Sequence, residues 1–339
     1  MSFQELMGEA RKNLNNSCRV CKVCNGVACA GEVPGMGGLG TATSFKNNVE
    51  SLSKIKLNMK TIHNAKNPDM ETELFGKKMS VPVFAAPVSG TTLNMGGKLT
   101  EREYISMVID GCLESGIYPM VGDTAVDTFL PTNLEELKKR DGNGIAFIKP
   151  WKNNVVIEKI KKAEDAGVFA VGMDIDACGL ITLALHGKPV MPKEFDEIKE
   201  IIDCTKLPFI VKGVMCAEEA KMAVELGAKA IVVSNHGGRV LDFMPGVAEV
   251  LSEVSKAVKG KITILADGGI RSGVDVLKFL ALGADGVLIG RPFVWASFGG
   301  GAQGVREYVE KIKGELKSAM ILTGCQDIAS INESIIYRE

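Results

Sequence analysis

The chain has 339 residues, 46% of them hydrophobic and 24% charged, with a formal net charge of −1. That balance describes a globular protein able to bury a large core, and near-neutrality removes any general electrostatic case for nucleic acid or an anionic membrane as partner. No apolar run reaches the length of a membrane span and no apolar leader is evident, so the expectation is a cytoplasmic protein acting on a small molecule.

Nine cysteines without a secretion signal argue for thiol, metal or redox chemistry over a disulfide framework. Four of them come first in the chain: Cys18, Cys21, Cys24 and Cys29, spaced C-x2-C-x2-C-x4-C. Packing does not explain that density, and no histidine lies nearby to complete a zinc finger. The spacing resembles the thiolate runs that wrap a [4Fe-4S] cluster, with one residue more before the last Cys than in bacterial ferredoxins. Structural Zn²⁺ and unligated or disulfide-paired thiols are the alternatives. The other five, Cys112, Cys178, Cys204, Cys216 and Cys325, lie in apolar or helical contexts and are expected to pack. Gly35-Met36-Gly37-Gly38-Leu39-Gly40 follows, formally a G-x-G-x-x-G, but no strand precedes it and no helix opens after it, as a dinucleotide site requires. It reads as a segment closing over a ligand site.

From residue 80 onward, short β-branched or apolar runs bounded by Gly and Pro alternate with amphipathic helical stretches. The strands expected are Val81–Ala86, Ile117–Val121, Gly144–Ile148, Phe169–Met173, Pro208–Lys212, Ala230–Ser234, Thr263–Ala266 and Gly286–Ile289. Helices are expected between them, at Glu101–Glu114, Val155–Ala166, Ala217–Leu226 and Val274–Leu282 among others. Eight such units make an α/β chain with a (β/α)8 TIM barrel over residues 80–339, preceded by a Cys- and Gly-rich extension over residues 1–79.

In that fold, chemistry gathers at the carboxyl ends of the strands. The expected strands run into Lys149, Asp174, Lys212, Ser234-Asn235-His236-Gly237-Gly238-Arg239, Asp267-Gly268-Gly269-Ile270-Arg271 and Gly290-Arg291. The imidazole of His236 and the guanidinium of Arg239, two glycines apart, can take a proton while holding a carboxylate. The glycines and guanidinium groups after the last two strands, Gly269, Arg271, Gly290 and Arg291, suit a phosphate.

Together with Val211-Lys212-Gly213 and Leu282–Pro292, these motifs resemble the FMN-dependent 2-hydroxy-acid oxidase/dehydrogenase family, to which glycolate oxidase, lactate oxidase and flavocytochrome b2 belong. The resemblance is close over residues 205–330 and looser over residues 80–200. It implies an oxidoreductase that converts an L-2-hydroxy acid to the 2-oxo acid, passing electrons to FMN and then to oxygen or a carrier protein. It also implies FMN held by Lys212, Ser234, Asp267, Gly269, Arg271, Gly290 and Arg291, His236 as base oriented by Asp174, Arg239 on the substrate carboxylate, and a homo-oligomer. Departures accompany the matches. The family's pocket offers a Tyr from the N-terminal segment and another after the third strand, whereas here no Tyr precedes Tyr104 and the third strand runs into Lys149-Pro150. Its second carboxylate-binding Arg is replaced by Asp176-Ala177-Cys178, leaving Lys149 as a candidate cation and His186 as a polar contact. Two other readings use the same barrel: an FMN-dependent isomerase resembling type 2 isopentenyl diphosphate isomerase, and a flavin or iron–sulfur redox sensor.

Overall fold

Apolar runs punctuated by glycine fold as the expected strands, and the chain closes them into one parallel barrel. The structure, a computed structural model, describes residues 3–188 and 190–338. An antiparallel hairpin comes first, β1 (Thr72–Leu74) and β2 (Lys77–Met79). The barrel strands are β3 (Val83–Ala85), β4 (Tyr118–Gly122), β5 (Ile145–Ile148), β6 (Ala170–Asp174), β7 (Phe209–Val214), β8 (Ala230–Val233), β9 (Thr263–Ala266) and β10 (Gly286–Ile289). Neighbours in sequence pair in parallel, and β10 returns to β3 through Val287 opposite Val83. Every residue of β5, β6, β8 and β10 is buried, as a parallel sheet jacketed by helices demands. Each fully buried Ile or Val there contributes about 1.5–3 kcal/mol relative to exposure.

The expected helices appear at Glu101–Glu114, Asn153–Asp165, Ala217–Glu225 and Gly273–Ala281. Local chemistry fixes their starts: Thr100 and Glu103 form a reciprocal capping box, as do Ser272 and Asp275. The last helix, Arg291–Thr323, begins directly after β10, breaks at Gly301 and stops at Gly324, whose φ of 78° is left-handed. Cys112 and Cys325 pack in the interior as expected, whereas Cys216 is exposed at the start of its helix.

The N-terminal extension shares the barrel's core. Leu6, Val20, Met36, Leu52 and Leu74 belong to the same continuous apolar cluster as the strands. Its first helix, Phe3–Asn13, lies against Arg291–Thr323, and its second, Thr43–Lys54, sits beside the carboxyl ends of β8 and β9. Among the described residues no helix is long and apolar enough to cross a membrane.

Candidate active site

The carboxyl ends of the strands open into a cavity of about 1100 Å³, the solvent space at its mouth included. Lys149, Asp174 and Lys212 line it from β5, β6 and β7; His236 and Arg239 follow β8; Asp267, Gly269, Arg271, Gly290 and Arg291 follow β9 and β10. Ser234 stands behind them, buried, its Oγ accepting a 3.0 Å bond from the His236 amide. The sequence-predicted residues of the barrel thus meet at one mouth.

Two buried lysines flank one carboxylate. Lys149 Nζ donates to Asp174 Oδ2 at 2.6 Å, and Lys212 Nζ lies 3.1 Å from Asp174 Oδ1. Burial alone would raise the Asp174 pKa, but Lys149 and Lys212 hold it well below the usual carboxylate range. Burial likewise works to lower the Lys212 pKa, and Asp174, Asp176 and Asp267 overcome it, so this lysine stays charged.

The bond that Asp174 was expected to make with His236 is made by Asp176. His236 Nδ1 lies 3.1 Å from both carboxylate oxygens of Asp176. Asp174 is committed to its lysines. The reason is local backbone: β7 carries a bulge between Lys212 and Val214, and Gly213 within it has φ 105°. A Cβ at Gly213 would stand 2.6 Å from the Asp176 Cβ, so only glycine admits that side chain. With a carboxylate accepting at Nδ1, that nitrogen carries the proton and Nε2 is the free acceptor. Burial, then the charge of Lys212, lowers the His236 pKa against the pull of Asp176, and the ring is neutral at neutral pH.

The loop after β8 is fixed from the extension. His236 is itself left-handed at φ 56°, and the buried Asn235 exchanges two bonds with Asn48 at 2.7 and 3.0 Å. Asn48 Oδ1 also accepts from the Val247 amide at 3.0 Å. A Cβ on Gly238 would come 2.5 Å from the Phe45 backbone nitrogen, so this glycine is required by close approach of the helix Thr43–Lys54.

The Gly-rich segment does close over the mouth. Arg239 Nη1 donates to the carbonyls of Gly35 (2.5 Å) and Gly37 (3.3 Å), while its Nη2 donates to Asn94 Oδ1 at 3.0 Å. Arg291 donates to Met36, Gly37 and Gly237 carbonyls, with its guanidinium 3.8 Å from the Phe45 ring centroid. Arg271 reaches Cys24 Sγ at 3.4 Å and leaves its buried Nε without a partner. Asp267 Oδ1 is also buried and unpartnered, and burial pushes that carboxyl up to about 6. Gly268 and Gly269 have φ of 102° and 87°, and the helix at Arg291 presents its amino end here. Unsatisfied donor and acceptor, glycine backbone and helix terminus fit a ligand bearing phosphate and hydroxyl groups.

Cys18, Cys21, Cys24 and Cys29 line a second, smaller cavity that shares Met36 and Arg291 with the first. His186 is engaged with the Thr182 carbonyl of its own helix at 2.8 Å and does not line the main cavity.

A family model described as "FMN-dependent dehydrogenase" matches residues 35–182 and 184–338. The chain belongs to that family. Its relatives include a 2-hydroxyacid oxidase of Dictyostelium discoideum, 32% identical over 326 residues that cover 86% of this chain and 81% of that protein. Glycolate oxidase of Spinacia oleracea is 31% identical over 329 residues, covering 85% and 86%. Among solved structures, a mandelate oxidase superposes with a TM-score of 0.80 at 28% identity, covering 97% of each chain. The family match begins at Gly35, so the four clustered cysteines lie outside it.

Asp176, Asn48 and Asn94 were not foreseen as site residues. Asp176 was visible in sequence only as the residue standing where an Arg was expected; its approach to His236 depends on a bulge in another strand. Asn48 and Asn94 carry no motif, and their partners lie 187 and 145 residues away.

Proposed function

We propose that this chain oxidises a 2-hydroxy acid to the 2-oxo acid with FMN as its cofactor, as the names of its oxidase relatives suggest. The observation that carries the reading is His236, neutral and held by Asp176 at Nδ1, facing the same cavity as Lys212 and Arg239. Its free Nε2 takes a proton from the substrate, and Asp176 stabilises the imidazolium that results. Arg239, whose donors now rest on Gly35, Gly37 and Asn94, supplies the guanidinium for the substrate carboxylate, and Lys149, paired with Asp174, adds a second cation to the same cavity. Bound FMN supplies the electron sink for the two electrons that leave the substrate carbon. Asp267, Gly269, Arg271, Gly290 and Arg291 would hold its phosphate and hydroxyl groups, and Ser234 and Lys212 its ring end. Lys212, kept charged by Asp174, offers the fixed positive charge that favours an electron-rich ring. Electrons then pass to oxygen or to a carrier. We place the activity in the cytoplasm and in a homo-oligomer.

The test is an anaerobic visible spectrum of the purified chain during addition of L-lactate, glycolate or L-mandelate. Bleaching of flavin bands by one of them, lost in His236→Ala with flavin retained, is the expected result. A chain without flavin, or flavin that none of these acids reduces, refutes the reading.

A further inference from the structure

We propose that Cys18, Cys21, Cys24 and Cys29 hold a polynuclear iron–sulfur cluster, of [4Fe-4S] type, packed against the arginines of the cofactor cradle. All four thiols are free, partly buried and turned toward one small cavity, which Met36 and Arg291 close from the barrel side. Residues 14–42 contain no helix or strand, only an isolated bridge between Ala30 and Gly38. A stretch of that length without secondary structure is uncommon unless it serves a function.

The loop is nonetheless held in one shape. Arg11 donates to the carbonyls of Arg19 and Val20 at 2.7 and 2.8 Å, and Arg19 forms a two-pronged pair with Glu32 at 2.5 and 2.6 Å. Val20 sits at φ 44°, a conformation costly for a β-branched residue, and its amide thereby donates to Cys18 Sγ at 3.4 Å. Arg271 donates to Cys24 Sγ. Donors aimed at sulfur are what a cluster's thiolates need, and the guanidinium groups of Arg271 and Arg291 offset the negative charge of four thiolates.

The class of metal is suggested by the spacing C-x2-C-x2-C-x4-C, which resembles the thiolate runs around a [4Fe-4S] cluster. One tetrahedral Zn²⁺ at ~2.3 Å from each thiolate draws its ligands to within about 4 Å of one another. Among the described residues no three cysteine sulfurs gather within 4.8 Å. For its electron source the proposal rests on the FMN reading. Each hydroxy acid oxidised releases two electrons and two protons; the cluster would pass the electrons singly to two equivalents of a one-electron carrier protein, with the protons going to solvent.

The experiment is metal and sulfide analysis of the full chain purified without oxygen, with low-temperature electron paramagnetic resonance after dithionite reduction. About four iron and four acid-labile sulfide per chain are expected, with a reduced-cluster signal. Cys21→Ser and Cys24→Ser should lose both, with flavin content retained as the sign of an intact barrel. One zinc per chain, disulfides that resist alkylation, or four thiols alkylated freely in metal-free protein would each overturn the proposal. A chain with the cluster but no flavin would overturn the FMN reading and leave this one standing.

Discussion

Replacing Asp176 by Asn tests the site where structure and expectation part. The substitution keeps shape and removes the charge that stabilises an imidazolium. At the observed 3.1 Å separation, a full ion pair in a medium of effective dielectric ~20 is worth at most about 5 kcal/mol. Lys212 Nζ, 3.5 Å from the same nitrogen, is present in parent and variant alike and drops out of the difference, so the fall in kcat/KM is at most about 10³–10⁴. The pH profile gives a second readout. Asp176 raises the His236 pKa while burial and Lys212 lower it, so its loss moves the pKa further down. The base is active when neutral, and the acid limb of kcat/KM should therefore shift to lower pH as the plateau falls. Steady-state kinetics across pH, with flavin content as control, decides. If Asp174→Asn shifts the acid limb in a well-folded enzyme while Asp176→Asn leaves rate and profile unchanged, the assignment is wrong.

Lys212→Met removes a cation that lowers the His236 pKa, so the acid limb should move to higher pH, opposite in sign to Asp176→Asn; the same titration checks it. Asn48→Ala leaves the buried amide of Asn235 short of its partner, a cost of about 1–3 kcal/mol that urea unfolding should report as a lower midpoint with unchanged slope. Glu136, buried in the helix Phe129–Lys138, is the fourth case. Burial opposes its ionisation, but Lys139, Arg140, Ser106 and Arg102 bring the carboxyl down to about 2. The folded value lies below the unfolded one near 4.5, so its stabilisation is complete above that pH and vanishes as pH falls toward 2. Glu136→Gln should be less stable than the parent at pH 7, with the difference closing across that window in denaturation curves.

The barrel was legible because its strands are buried apolar runs closed by glycine, and because eight of them recur with helices between. The hairpin of β1 and β2 was not. Its strands are three residues long and carry Lys and Glu, and its turn uses Phe75 and Gly76 at φ 54° and 71°, without the Asn-Gly pair that announces such turns. Within the site, residues set at strand ends could be read from position alone. Lys149 was found this way, although its ion pair with Asp174 was not. Contacts between distant stretches stayed hidden: the Gly213 gap that admits Asp176, the Asn48–Asn235 pair, and the guanidinium groups of Arg239 and Arg291 resting on the carbonyls of the Gly-rich segment. Each depends on how two remote segments meet, which no local pattern encodes.

The dependence of the mouth on the extension has a consequence for synthesis. Asn48 leaves the ribosome 187 residues before Asn235, a delay of about 10–40 s at 5–20 residues per second. The polar face of the helix Thr43–Lys54 has no partner during that interval, and Arg291, which walls the cysteine cavity, emerges later still. The thiols of residues 18–29 are therefore displayed on an open loop while most of the barrel is being made. The cluster proposed for them would be loaded before the molecule closes around it, and late-translated loops complete a site begun by the first fifty residues.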